Sequence, residues 1–116
     1  MPRDSEAYLE DILEAIGKVE DYIRGARFEQ LASDGKTVDA VVRNLEIIGE
    51  AARQPPEAFR KAHPEVRWRR VVGLRDILIH AYFGVDLQIV WDIVQNKLPD
   101  LRRKIDAMLR DRGGAP

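Results

Sequence analysis

The sequence predicts an all-α fold, an up-and-down bundle of roughly four to five helices. Three observations predict it. Apolar residues recur at three- and four-residue spacing through most of the 116-residue chain, the pattern of helices that each bury one stripe. No segment alternates apolar and polar residues as a strand does, and there is no internal repeat. The turn signals between periodic segments are short, so neighbouring helices are expected to run antiparallel. A single domain over residues 1–112 with a flexible tail at 113–116 suits this length.

The first helix is expected from Ser5 to about Arg24, with Tyr8, Leu9, Ile12, Ile16, Val19 and Ile23 as its stripe. Asp4 is its candidate N-cap, and Glu6, Glu10 and Asp11 suit the positive end of the helix dipole. Ser33-Asp34-Gly35 reads as a turn. Thr37 is the expected cap of a second helix ending near Arg53, with Val38, Val41, Val42, Leu45, Ile48 and Ala52 on its apolar face. Gly49 lies inside that helix at a cost of about 1 kcal/mol against alanine, which points to a close helix crossing. Gln54-Pro55-Pro56 stops the helix, and a short helix over Glu57 to Ala62 fits before His63-Pro64. A third main helix is expected from about Trp68 to Phe83, ended by Gly84. Asp86 can cap a fourth, with Leu87, Val90, Trp91 and Val94 on one face. Pro99 is expected to break or restart it, being well placed in the first turn of a last helix striped by Leu101, Ile105, Met108 and Leu109. Residues 112–116 read as a frayed end.

Apolar residues at 45% and charged residues at 34% describe a globular chain with exposed helical faces. Without cysteine there is no disulfide framework and no thiolate chemistry. No apolar run approaches the roughly 20 residues of a membrane span, and Met1 to Glu6 is too polar for a secretory signal. The expected location is the cytoplasm, with no membrane contact. Net charge is −1, but residues 1–30 carry net −4, residues 60–76 net +4 and residues 97–112 net +3. Screening limits each charge to about 10 Å, so a local basic stretch attracts a phosphate backbone even in a neutral molecule. Arg67, Arg69 and Arg70 are therefore candidate RNA-binding residues. Trp68 among them reads better as a core anchor than as a base-stacking platform.

The chain has two histidines. His63, before a proline in a polar turn, reads as a solvated loop residue. His80 sits in Arg75-Asp76-Ile77-Leu78-Ile79-His80-Ala81-Tyr82, among large apolar side chains. Asp76 and His80 are four residues apart and share a helical face. A carboxylate beside an imidazole fixes its tautomer and favours its charged form, a supporting role for Asp76. Arg75 and His80 lie about 140° apart around a helix. Either the arginine bends round, or a symmetry-related helix supplies a second pair, which favours a site across a two-fold axis. Histidine moves protons near neutral pH, and a guanidinium holds phosphate oxygens and stabilises charge developing on them. RNA brings its own nucleophile, the 2′-hydroxyl, so this pair suffices for internal transesterification. Paired histidines at helical spacing, cysteines and a glycine-rich phosphate loop are all missing, so neither a metal nor a cofactor is expected. Glu46 and Glu50, on one face with Arg43, read as a salt-bridged set.

The octet from Arg75 to Tyr82 resembles the Arg-x4-His-x-Tyr motif of HepT-like proteins in the HEPN superfamily. The similarity extends to Arg43-Asn44-Leu45-Glu46-Ile47-Ile48-Gly49-Glu50-Ala51-Ala52, to Trp68–Leu74, to Tyr82-Phe83-Gly84-Val85-Asp86 and to Leu98-Pro99-Asp100-Leu101. These pieces span about residues 5–109 in order. The resemblance implies a helical-bundle homodimer with facing motif helices. It also implies a metal-independent endoribonuclease in which Arg75 and His80 are catalytic, leaving a 2′,3′-cyclic phosphate. Asp76 stands where many members carry asparagine. The resemblance further implies a toxin of a type VII toxin–antitoxin system, partnered by a minimal nucleotidyltransferase antitoxin that silences it by transferring AMP to Tyr82. The alternative is a non-catalytic nucleotide-binding or interaction module partnered with the same kind of nucleotidyltransferase. The intact Arg75–His80 pair favours the enzyme.

Overall fold

The computed structural model describes residues 3–76 and 86–114, and all regular structure among them is helical. Helix α1 runs Ser5–Ile23 and starts where expected, with the Asp4 carboxylate accepting from the Glu6 amide at 3.3 Å. Gly25 ends the turn after it at φ 73°, a left-handed conformation open to glycine without strain. A short helix absent from the sequence expectations follows, α2 (Phe28–Ala32). Its start is fixed by the Gln30 side chain, which accepts from the Arg27 amide at 2.7 Å.

Helix α3 (Gly35–Arg53) begins two residues earlier than its expected cap. Asp34, not Thr37, is the N-cap: its carboxylate accepts from the Thr37 amide at 3.2 Å and from the Thr37 hydroxyl at 2.6 Å. An aspartate can accept both bonds at once and carries charge that suits the helix N-terminus, so it displaces threonine from the role. Those two bonds, the hydroxyl's first, hold the Asp34 carboxyl below the usual carboxylate range. Helices α1 and α3 pack together as the centre of the molecule. Leu9, Ile12, Ile16 and Val19 share one fully buried cluster with Val41, Leu45, Ile48 and Ala52. Asn44 is buried on the same helix, and its side-chain amide donates back to the Ala40 carbonyl at 2.9 Å.

Helix α4 (Glu57–Ala62) matches its expected bounds. It is tied to α5 (Trp68–Val72) by Trp68, which is buried, donates from its indole nitrogen to the His63 carbonyl at 2.9 Å and meets Phe59 edge-on at 6.2 Å. Trp68 is thus a core anchor. His63 is not a solvated loop residue: its ring lies 4.8 Å from that of Phe59 and its Nδ1 is 3.4 Å from Glu65.

The expected third helix is interrupted. Helix α5 stops at Val72, Gly73 forms a turn, and the backbone is helical again at residues 74–76. The Gly73 amide bonds to the Arg69 carbonyl at 2.9 Å, and the Asp76 amide to the Gly73 carbonyl at 3.0 Å, a three-residue step that tightens the turn. The remainder of that expected helix lies outside the described residues.

Asp86 caps α6 (Leu87–Asp92) as expected, accepting from the Gln88 amide at 3.0 Å. Pro99 sits in the first turn of the last helix, as expected, but without a break in the helical run before it. A π turn over Ile93–Lys97 leads straight into α7 (Leu98–Gly114). Proline has no amide to donate, and its ring crowds the carbonyl four residues back, so the helix widens before it instead of stopping. The continuous run from Leu87 to Gly114 has a helical length of about 42 Å, beside a longest molecular dimension of 48 Å. Its backbone is helical two residues into the segment expected as a tail. Helix α7 packs on α1, and α5 packs on α3.

Candidate active site

The site is built on the crossing of α3 and α5. A Cβ at Gly49 would lie 3.2 Å from the Val72 carbonyl oxygen, 3.3 Å from that of Val71 and 3.3 Å from the Arg75 amide. The missing side chain lets the two backbones touch, as the sequence suggested, and it sets Arg75 directly over α3. Glu50, the next residue, reaches up to it: Arg75 Nη1 donates to Glu50 Oε2 at 3.1 Å. The other carboxylate oxygen of Glu50 accepts from Arg53 at 2.7 Å and from the Gln54 side-chain nitrogen Nε2 at 3.3 Å. Arg53, first, and then Arg75 hold the Glu50 carboxyl below the usual glutamate range.

This leaves Arg75 tethered at one end of its fork and half exposed, with 49% of the side chain open to solvent. A guanidinium so held keeps donors free for a phosphate while its direction is restricted. Asp76 is exposed beside it. His80 and Tyr82 lie outside the described residues, as does any contact between Asp76 and His80. The structure therefore brings Arg75 together with Glu50, a pairing that reading the sequence missed. The position of Glu50 in the sequence points instead to a salt-bridged set with Glu46 and Arg43. Arg43 and Glu46 do pair, at 3.6 Å, but Glu50 turns to Arg53 and Arg75. The available signal was Gly49: a crossing there puts its neighbour within reach of whatever passes above.

Arg67, Arg69 and Arg70 are exposed. Arg67 and Arg70 line a groove between α5 and the π turn with α7, whereas Arg69 does not. Among the described residues, no three His, Cys, Asp or Glu side chains gather as metal ligands would, and no helix is long and apolar enough to cross a membrane.

A family model described as "Ribonuclease HepT-like" matches residues 12–108. The chain is 46% identical to a protein of Thermococcus cleftensis named a probable ribonuclease HepT, across 93% of this chain and 98% of that one. It is 43% identical to a protein of Methanocaldococcus jannaschii that carries a provisional RNase name, across 98% and 95% of the two chains. A similarly named protein of Caldanaerobacter subterraneus is 39% identical across 89% and 92%. No solved structure gives a significant match.

Proposed function

Because the chain belongs to the HepT-like ribonuclease family, we propose that it is an endoribonuclease with Arg75 and His80 as its catalytic pair. The observation that carries this reading is the half-exposed Arg75 guanidinium, fixed on Glu50 at 3.1 Å and set at the start of the motif segment. In the proposed reaction the substrate's 2′-oxygen attacks the adjacent phosphorus and its proton passes to an imidazole of His80. The bond from phosphorus to the 5′-oxygen breaks, and that oxygen takes a proton. The products are a 2′,3′-cyclic phosphate and a 5′-hydroxyl. Arg75 neutralises the charge that builds on the non-bridging oxygens. His80 supplies the proton transfers, and Asp76 biases its tautomer.

The experiment is cleavage of RNA by the purified chain, with and without EDTA. Arg75→Ala and His80→Ala should each lose about 100-fold or more, chelation should leave the rate unchanged, and a 2′-deoxy at the cut site should block it. Cleavage by His80→Ala at the unsubstituted rate overturns the assignment.

The same reading extends to control. We propose a cytoplasmic toxin held in check by a minimal nucleotidyltransferase, which transfers AMP from ATP to the Tyr82 phenol. The phenolic oxygen bonds to the α-phosphorus, pyrophosphate leaves, and the phenolic proton is released. The added phosphodiester, seven residues beyond Arg75, would return to the arginine's side of a helix and compete with the RNA phosphate. Mass spectrometry after co-expression should place the adduct on the peptide that holds Tyr82; an adduct only elsewhere refutes this mode of control.

A further inference from the structure

A groove of about 610 Å³ runs between α5 and the C-terminal helical run. It exists because its walls rest on different supports, α5 on α3 and α7 on α1. On the α5 side Arg67 and Arg70 stand at its edge, above Val71 and Leu74. On the other side Lys97 and Lys104 stand above Leu98 and Leu101. The spacing of three and four along each helix puts each set on one face. Lys97 closes the π turn that Pro99 imposes, so the distortion of the helix is also what carries a cation to the groove.

The charges are unequal. Among the described residues Asp100 is the one carboxylate lining the groove, and its oxygens are taken by Arg103 at 2.8 Å and Lys104 at 2.9 Å. Arg67, Arg70 and Lys97 are exposed and have no ion-pair partner among the described residues. The groove thus offers three uncompensated cations above an apolar floor. Leu74 lines it and Arg75 follows Leu74 in the chain, so the α5 end of the groove lies one residue from the candidate active site.

We propose that this groove holds the stretch of single-stranded RNA next to the scissile bond, with phosphates on Arg67, Arg70 and Lys97 and a base face on the floor. The proposal rests on the ribonuclease reading and adds to it where the substrate lies. Unpaired RNA fits better than duplex, because a duplex hides its base faces while a single strand presents base and phosphate in turn. The volume falls in the roughly 300–1,000 Å³ span of small-ligand pockets, enough for a short segment rather than a folded partner.

The test is equilibrium binding of a fluorescein-labelled, fully 2′-O-methylated oligouridine of about 12 nucleotides, which cannot be cleaved, read by anisotropy across a salt series. Three phosphate contacts give a slope of log affinity against log salt of about −2, from about −0.7 per contact on single strands. Arg70→Ala and Lys97→Ala should each reduce that slope by about 0.7 and weaken binding several-fold. Lys61→Ala, an equal charge change on the α4 surface, should leave both unchanged. Affinity and slope unaltered in Arg70→Ala and Lys97→Ala, or lost equally in Lys61→Ala, overturn the proposal. So does loss of binding to a nucleotidyltransferase partner with RNA affinity intact, which assigns the groove to a protein. Cleavage of unmodified RNA is measured separately. Groove-dependent binding without cleavage retains the groove and rejects the ribonuclease reading; cleavage with groove-independent binding does the reverse.

Discussion

At the scale of single residues, the pairing of Arg75 with Glu50 is the feature on which catalysis should depend most after the catalytic pair itself. A free arginine samples many rotamers, and a small misplacement of a reacting group costs up to about 100-fold in rate. Glu50 removes that freedom at one end of the guanidinium. Glu50→Ala should therefore lower the turnover number roughly 10- to 100-fold with little change in melting temperature, because the pair is exposed. Glu50→Gln, which still offers an oxygen acceptor, should recover most of the rate. If the alanine variant cleaves at full rate, Glu50 is only a surface charge. The pair has a pH signature as well. The folded-state pKa of Glu50 is depressed, so the interaction is fully present above the ordinary glutamate range and is lost as pH falls through the depressed value. Carbon-detected NMR of the Glu50 carboxyl should show that low midpoint, and Arg53→Ala should raise it, since Arg53 is the larger cause. Half of this was legible in the sequence. A glycine inside an amphipathic helix signals a crossing, but no spacing rule connects residues 25 apart in the chain.

At the scale of elements, the crossing of α3 and α5 and the two irregular helices show how local chemistry sets the site. Alanine at Gly49 would bring opposing effects. Helix propensity improves by about 1 kcal/mol, while overpacking costs about 1–3 kcal/mol. The neighbours at 3.2–3.3 Å are backbone atoms, which cannot rotate aside as a side chain would, so the clash should win. Gly49→Ala is expected to lower the melting temperature, and to slow cleavage even where it remains folded, because Arg75 is carried by the displaced segment. A raised melting temperature with full activity would contradict both. Periodicity located most helices, because long apolar stripes are a strong signal. It missed α2, whose five residues carry too short a stripe. It also ran α5 through Gly73 and missed the π turn before Pro99, although it placed Pro99 in the first turn of the last helix, where the structure has it. Both errors share a cause: how a glycine or proline reshapes a helix depends on which carbonyls its neighbours can still reach, and periodicity does not report that.

At the scale of the whole molecule, the tether on Arg75 bears on the number of chains in the active unit. Around a regular helix Arg75 and His80 point about 140° apart. One chain could use both only if the arginine wrapped round its own helix, and the bond to Glu50 holds it towards α3 instead. A partner related by a two-fold axis would place its own motif helix against the first, so that the arginine of one and the histidine of the other meet at a shared phosphate. We therefore expect a homodimer by light scattering at micromolar concentration. A stricter check is to mix Arg75→Ala with His80→Ala, each inactive alone, after a brief unfolding and refolding together. Random reassociation makes about half of the dimers mixed. In a mixed dimer neither chain holds both groups, yet the pair holds one arginine and one histidine between them. Activity should reappear in the mixture if the site is shared. If both parents refold and exchange chains but the mixture stays inactive, each chain must carry its whole site, and the Glu50 bond must open to let its own arginine turn.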